Sequence, residues 1–64
     1  MVQINGTAIN CAGSTLSGYL SGTEYDPARI AVEKNGEIVP KAQYGAVILQ
    51  DGDVLEIVSF VGGG

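Results

Sequence analysis

The sequence predicts an α+β fold in which a mixed β-sheet packs one main helix across one face. Three observations support it: two Asn-Gly pairs flanked by strand-like residues, a short segment of helical spacing between them, and a long β-branched run near the end. The 64 residues form one small domain. A chain this short buries only about 60% of its unfolded surface, so an elaborate active-site cavity is not expected.

Each Asn-Gly pair predicts a two-residue hairpin turn. Both residue types tolerate the positive φ that a type I′ turn demands. Asn5-Gly6 joins residues 2–4 to residues 7–9, and Asn35-Gly36 joins residues 29–34 to residues 37–39. The chain is therefore expected to begin with one hairpin and to carry a second in its middle.

A short helix is predicted between the two hairpins. Ser14 or Thr15 can cap its start, and Leu16, Tyr19 and Leu20 then fall at i, i+3 and i+4 on one face. Because so short a helix is marginal alone, its stability must come from packing onto the sheet.

The connections after the predicted helix are predicted from their turn-forming and apolar residues. Residues 23–27 predict a polar connection, and residues 41–45 predict a single tight turn after Pro40. Residues 46–49 are apolar and are expected to be buried. Asp51 and Asp53, around one glycine, predict a solvated turn that also places negative charge near the chain's tail.

Residues 54–61 are the longest β-branched run and predict the last strand. Alternation directs Leu55 and Ile57 to the core, and Val58 and Phe60 to the other side. Val58 and Phe60 are then either an exposed contact patch or a second face covered by the segment around Ile48, and periodicity leaves both open. If this strand lies parallel beside the first one, the arrangement is a β-grasp.

Composition narrows the function classes. Seven acidic against three basic residues give a net charge of -4, so nucleic acid and anionic membranes are not expected partners, whereas a basic protein surface would be attracted. Without histidine, acid–base catalysis near neutral pH is not expected. Cys11 is expected to be a small buried hydrophobe, and no residue set suits a metal, since two aspartates around a glycine fall short of a calcium loop. The lack of a secretory signal predicts a cytoplasmic protein.

The sequence closes on Phe60-Val61-Gly62-Gly63-Gly64. With the opening Asn-Gly hairpin, Ile-Val-Pro at residues 38–40 and Asp-Gly-Asp at residues 51–53, this diglycine end resembles the ThiS family of ubiquitin-like bacterial sulfur carriers over essentially the whole chain. The resemblance implies a ubiquitin-like β-grasp domain at residues 1–61 and a flexible glycine tail at residues 62–64.

The family's chemistry implies a protein cosubstrate and not an enzyme. An E1-like (ThiF-like) adenylyltransferase would consume ATP to adenylate the Gly64 carboxylate, and a donor such as a persulfide would supply the sulfur of a thiocarboxylate. A ThiG-like thiazole synthase would then use that sulfur to build the thiazole ring of thiamine. The carrier itself would bind no cofactor.

The tail residues suit this role physically. Gly62 and Gly63 would act as a tether, because residues without Cβ pass through narrow channels, and three extended residues span roughly 10 Å. Val58 and Phe60 would be the first part of the body that an enclosing partner meets.

Other functions remain open at this point. The carrier could serve molybdopterin or cysteine formation, because the acceptor enzyme decides the pathway. The same activated Gly64 could be joined to a lysine amine, which would make the chain a ubiquitin-like protein modifier. The chain could also be a plain interaction module, which binds its partner through the sheet and has no use for the tail.

Overall fold

The computed structural model describes residues 1–60, and its elements form one five-stranded sheet with one α-helix. The strand order is β2-β1-β5-β3-β4; β1 and β5 are parallel and the other neighbours are antiparallel. The predicted α+β arrangement with a parallel first and last strand is confirmed. In chain order the elements are β1 (Val2–Ile4), β2 (Thr7–Ile9), α1 (Leu16–Ser21), β3 (Ile30–Lys34), β4 (Glu37–Ile38) and β5 (Val54–Ser59).

Both Asn-Gly hairpin turns form as predicted. Asn5 and Gly6 have φ values of 50° and 83°, and Asn35 and Gly36 have values of 54° and 85°. Two consecutive positive φ angles are the signature of a type I′ turn, whose twist matches that of the strands it joins. The turns thus set the registers of β1 with β2 and of β3 with β4.

The predicted helix α1 begins after Thr15, whose hydroxyl accepts a hydrogen bond from the Gly18 N–H at 3.0 Å. Leu16 and Leu20 are fully buried, while Tyr19 is partly buried against the core. The helix has only six residues, so this buried face is what holds it on the sheet.

One hydrophobic core lies between α1 and the inner face of the sheet. Leu55 and Ile57 of β5 point into it, as alternation predicts, and Cys11 is buried there as a small apolar residue. The other buried apolar residues are Val2, Ile4, Leu16, Leu20, Ile30, Val32, Val39, Tyr44 and Leu49.

The connection at residues 23–27 differs from the prediction at its end. Pro27 opens a 3-10 turn, Pro27–Arg29, and the Asp26 carboxylate caps it by accepting from the Ala28 N–H at 2.9 Å. Proline suits this place because its fixed φ starts a helical turn that needs no N–H there. Strand β3 therefore begins at Ile30, one residue later than predicted.

The expectation that residues 46–49 are buried as a group is wrong. Leu49 is buried, but Ala46 and Ile48 are exposed, Ile48 by 53%. Ile48 forms an isolated β-bridge with Thr15, and in extended chain successive side chains point to opposite sides. The tight turn predicted after Pro40 is present as the 3-10 turn Lys41–Gln43.

Candidate functional site

Strand β5 is the central strand of the sheet and leads directly to the tail. It pairs with β1 on one side and with β3 on the other. The pairing with β3 continues past its end, because the Phe60 N–H donates to the Arg29 carbonyl at 2.7 Å. Gly62, Gly63 and Gly64, the residues predicted to carry the chemistry, lie outside the described residues. The structure describes the folded body to which they are attached, residues 1–60.

Val58 and Phe60 are exposed by 57% and 56%. Ile48 and its neighbours do not cover them, since Ile48 lies against Thr15 at the start of α1. Of the two alternatives left by the sequence, the exposed patch is therefore confirmed. Their contact with a partner stays a prediction.

A cleft lies beside Phe60, between β5 and the segment that follows α1. Its walls include Tyr25, Arg29 and Ser59, with the carboxylates of Glu24 and Asp26 at its edge. Asp26 lies 3.7 Å from the Arg29 guanidinium. Sequence reasoning missed this cleft, although Asp26-Pro27 is the local signal for the capped turn that shapes it.

The prediction that residues 51–53 form a solvated turn with negative charge near the tail is wrong in two ways. Asp53 is buried rather than solvated, and the turn precedes β5 whereas the tail follows it. Six strand residues separate the two ends by about 20 Å. The acidic residues that line the cleft beside Phe60 are Glu24 and Asp26.

Asp53 is held by a set of local donors. Its carboxylate accepts hydrogen bonds from the Asn35 amide at 3.0 Å and from the Gln50 N–H at 2.9 Å. Burial disfavours the charged form, but these bonds and the charge of Lys34 together lower the pKa of the Asp53 carboxyl. This aspartate is a structural group that fixes the start of β5.

Asn5 holds the second half of β5 in place through Ile57. Its side-chain amide accepts a hydrogen bond from the Ile57 N–H at 2.7 Å and donates to the Ile57 carbonyl at 3.1 Å. It also donates to the Tyr25 hydroxyl at 3.3 Å. The side chain thereby replaces the backbone of β1 where that strand turns away, and we call this arrangement the Asn5 clamp. The sequence indicated a turn here and gave no sign of the clamp.

Cys11 is not placed to handle sulfur. It is buried, and this burial raises the pKa of its thiol, although the amino terminus acts in the opposite direction. A buried thiol with a raised pKa is a weak nucleophile. Within residues 1–60, no group of three or more metal-ligating side chains is found, and no helix is long and apolar enough to cross a membrane.

Comparison with known proteins places the chain in a family. The model of the ThiS family matches residues 2–64. The sulfur carrier protein ThiS of Bacillus subtilis is 39% identical over 66 residues, with all of both chains covered. The crystal structure of the thiamine biosynthesis protein ThiS from Geobacter metallireducens superposes with a TM-score of 0.78 at 28% identity, covering 98% of this chain and 97% of the other.

A longer relative is the thiazole synthase of Magnetococcus marinus, 45% identical over 64 residues. The match covers 98% of this chain but only 20% of that protein, so the chain spans about a fifth of the relative's length. The fold, the central strand leading to glycines and a family match that includes residues 62–64 agree: the chain belongs to the ThiS family and has its ubiquitin-like β-grasp fold.

Proposed function

We propose that this chain is a sulfur carrier that supplies sulfur for thiazole formation in thiamine biosynthesis. It acts as a protein cosubstrate whose Gly64 carboxylate is activated by a partner enzyme. The observation that carries the proposal is the end-to-end similarity to the sulfur carrier of Bacillus subtilis. The exposed end of β5 supports it, because a partner can enclose the tail without disturbing the core.

The chemistry requires activation because a carboxylate is a poor electrophile. An E1-like adenylyltransferase joins the Gly64 carboxylate to the AMP part of ATP and releases pyrophosphate. Hydrosulfide then attacks the acyl carbon and AMP leaves, giving the thiocarboxylate and a proton. With a persulfide donor the same attack gives an acyl disulfide. A thiolate must then attack the donor's sulfur, which forms a disulfide with the donor and releases the thiocarboxylate.

The tail glycines meet the steric requirements of this reaction. Gly64 leaves its carbonyl unhindered, and Gly62 and Gly63 let the tail enter a narrow channel. The folded body provides the surface that the partner enzyme binds while the tail enters its active site. No side chain of the carrier needs to take part in bond making, which agrees with a buried, weakly nucleophilic Cys11.

We propose a thiazole synthase as the acceptor. One protein of that name, from Magnetococcus marinus, contains a segment 45% identical to this chain. A carrier and its acceptor that occur in one polypeptide act on each other at high effective concentration. This supports thiamine over the molybdopterin and cysteine pathways.

Intact mass spectrometry tests the proposal. The chain is incubated with ATP, sulfide and the adenylyltransferase encoded in the same genome, and the terminal residue is sequenced by fragmentation. We expect exchange of one oxygen for sulfur at Gly64, and loss of that exchange when Gly63 and Gly64 are deleted. The control Gly45→Ala, which adds a Cβ to a glycine of the folded body where there is room for it, is expected to react.

Two outcomes would contradict the proposal. A chain that stays a plain carboxylate under these conditions is not a sulfur carrier for that enzyme. Isopeptide-linked conjugates in cells, without any thiocarboxylate, would instead indicate a protein modifier.

A further inference from the structure

Both hairpin turns consist of an asparagine followed by a glycine, a pair whose chemistry the proposed function does not use. In such a pair the backbone nitrogen of the glycine can attack the side-chain carbonyl carbon of the asparagine, because glycine has no Cβ to hinder the approach. Ammonia leaves and a cyclic imide forms. Water then opens the ring to aspartate or isoaspartate, so the net change is the replacement of a neutral amide by a carboxylate.

Two hydrogen bonds hold the side chain of Asn35 in the folded chain. Its Oδ1 accepts from the Val54 N–H at 2.9 Å, and its Nδ2 donates to Oδ1 of Asp53 at 3.0 Å. Both partners lie at the start of β5. Attack by the Gly36 nitrogen makes the planar side-chain carbon tetrahedral and takes Nδ2 away as ammonia. The reaction therefore has to break this planar pair of bonds.

The side chain of Asn5 is held by more bonds than that of Asn35. The Nδ2 of Asn5 has two acceptors, the Ile57 carbonyl and the Tyr25 hydroxyl, and its Oδ1 accepts from the Ile57 N–H. Within residues 1–60 the Nδ2 of Asn35 has one acceptor. Strand β4, which follows Asn35, has two residues, whereas β2 has three. Both turns are exposed to water, so Asn35 is the easier of the two to release.

We propose that Asn35 is a site of spontaneous deamidation in the folded chain, and that its bonds to Val54 and Asp53 control the rate. The reaction needs only water and the hydroxide that takes the proton of the Gly36 amide, so it is independent of the proposed function. The aspartate product presents a carboxylate to Asp53 where an N–H donor lay at 3.0 Å. Repulsion between like charges then replaces an attraction, and the start of β5 is loosened.

Peptide mapping by mass spectrometry measures the reaction at both turns of the same molecule. The full chain is kept in mildly alkaline buffer made with heavy-oxygen water, so that only residues modified during the incubation take up the label. In guanidinium, both asparagines are expected to react at similar rates. In the folded chain we expect Asn35 to react about 30-fold more slowly than in guanidinium, because two bonds of ordinary strength must break. Asn5 is expected to react more slowly still.

Asp53→Ala removes the acceptor of the Asn35 amide and leaves the three side-chain bonds of Asn5 in place. We expect it to raise the rate at Asn35, relative to that at Asn5, about fivefold in the folded chain. The matched control is Thr15→Ala, which destabilises the domain at the start of α1 and leaves both asparagines with their partners. It is expected to leave the ratio of the two rates unchanged.

The effect of the product on the fold is measured with Asn35→Asp. Its Tm is expected to lie about 6 °C or more below that of the natural chain, because the new carboxylate faces Asp53 without a donor between them. Asn10→Asp adds the same charge at an exposed position. That control is expected to change the Tm by about 3 °C or less.

Several results would overturn the inference. Absence of label at Asn35 in the folded chain would show that the site does not react there, and a folded rate equal to that in guanidinium would show that the two bonds do not restrain it. Equal acceleration of both asparagines by Asp53→Ala would mean that opening of the whole domain sets the rate. An Asn35→Asp variant as stable as Asn10→Asp would show that the product does not disturb Asp53.

Discussion

Single side chains fix the strand that leads to the tail, and Asn5 does so from the first hairpin. It must adopt a positive φ and at the same time pair with both backbone groups of Ile57. Few residue types meet both demands. Glycine meets only the first, and alanine meets neither, so the two substitutions separate turn conformation from the Asn5 clamp.

We expect Asn5→Gly to lower the free energy of unfolding by about 1–2 kcal/mol, because the Ile57 groups lose their partner. Asn5→Ala is expected to cost about 1 kcal/mol more, since it adds strain at positive φ. Urea unfolding of both variants measures these differences. An Asn5→Gly variant as stable as the natural chain would show that the clamp contributes nothing.

At the scale of elements, α1 shows how a local cap and a local propensity compete. A Cβ added at Gly18 would lie 2.9 Å from Oγ1 of Thr15. That oxygen is the cap, which accepts from the Gly18 N–H. A side chain at position 18 would therefore disturb the cap, whereas glycine permits it at a cost in helix propensity.

This competition predicts a double-mutant cycle. Gly18→Ala is expected to change stability little in the natural chain, because a propensity gain of about 1 kcal/mol is offset by loss of the cap. In a Thr15→Ala background, which already costs about 1 kcal/mol, the same change is expected to stabilise by about 1 kcal/mol. Thermal unfolding of the four proteins gives the coupling. Equal effects of Gly18→Ala in both backgrounds would rule out the competition.

The elements were predictable because their signals are local. The Asn-Gly turns, the Thr15 cap and the alternation of β5 each depend on residues within a few positions of one another. The Asn5 clamp joins residues 52 positions apart, and the bond from Asn35 to Asp53 joins residues 18 apart. Such contacts exist only once the sheet order is known. For this reason the sequence indicated that Val58 and Phe60 point away from the core but left open whether they are covered, and it misplaced the acidic turn.

At the scale of the whole molecule, β5 organises both ends of the domain. The buried carboxylate of Asp53 lies where the strand begins, and the exposed Phe60 lies where it leads to the tail. The division into a body at residues 1–61 and a tail at residues 62–64 stays a prediction.

The acid stability of the whole domain is expected to depend on Asp53. Its pKa in the folded chain lies below the ordinary value of 3.8. The folded state therefore holds fewer protons than the unfolded state, so this carboxyl contributes stability above the unfolded pKa. That contribution is lost as the pH falls through the folded pKa. Stability should be level from about pH 7 to pH 5 and then decline as the unfolded chain begins to bind protons.

Asp53→Asn tests this linkage. The amide cannot accept from both Asn35 and Gln50 as the carboxylate does, so we expect a loss of about 1–2 kcal/mol at pH 7. Because the variant lacks the titrating group, its difference from the natural chain should shrink below about pH 4. Urea unfolding at a series of pH values measures both curves. Asp51→Asn, an exposed change in the same turn that removes only a surface ion pair with the amino terminus, should cost less than Asp53→Asn at pH 7. A gap for Asp53→Asn that stays constant down to acid pH would mean that the carboxylate's charge plays no part in holding the start of β5.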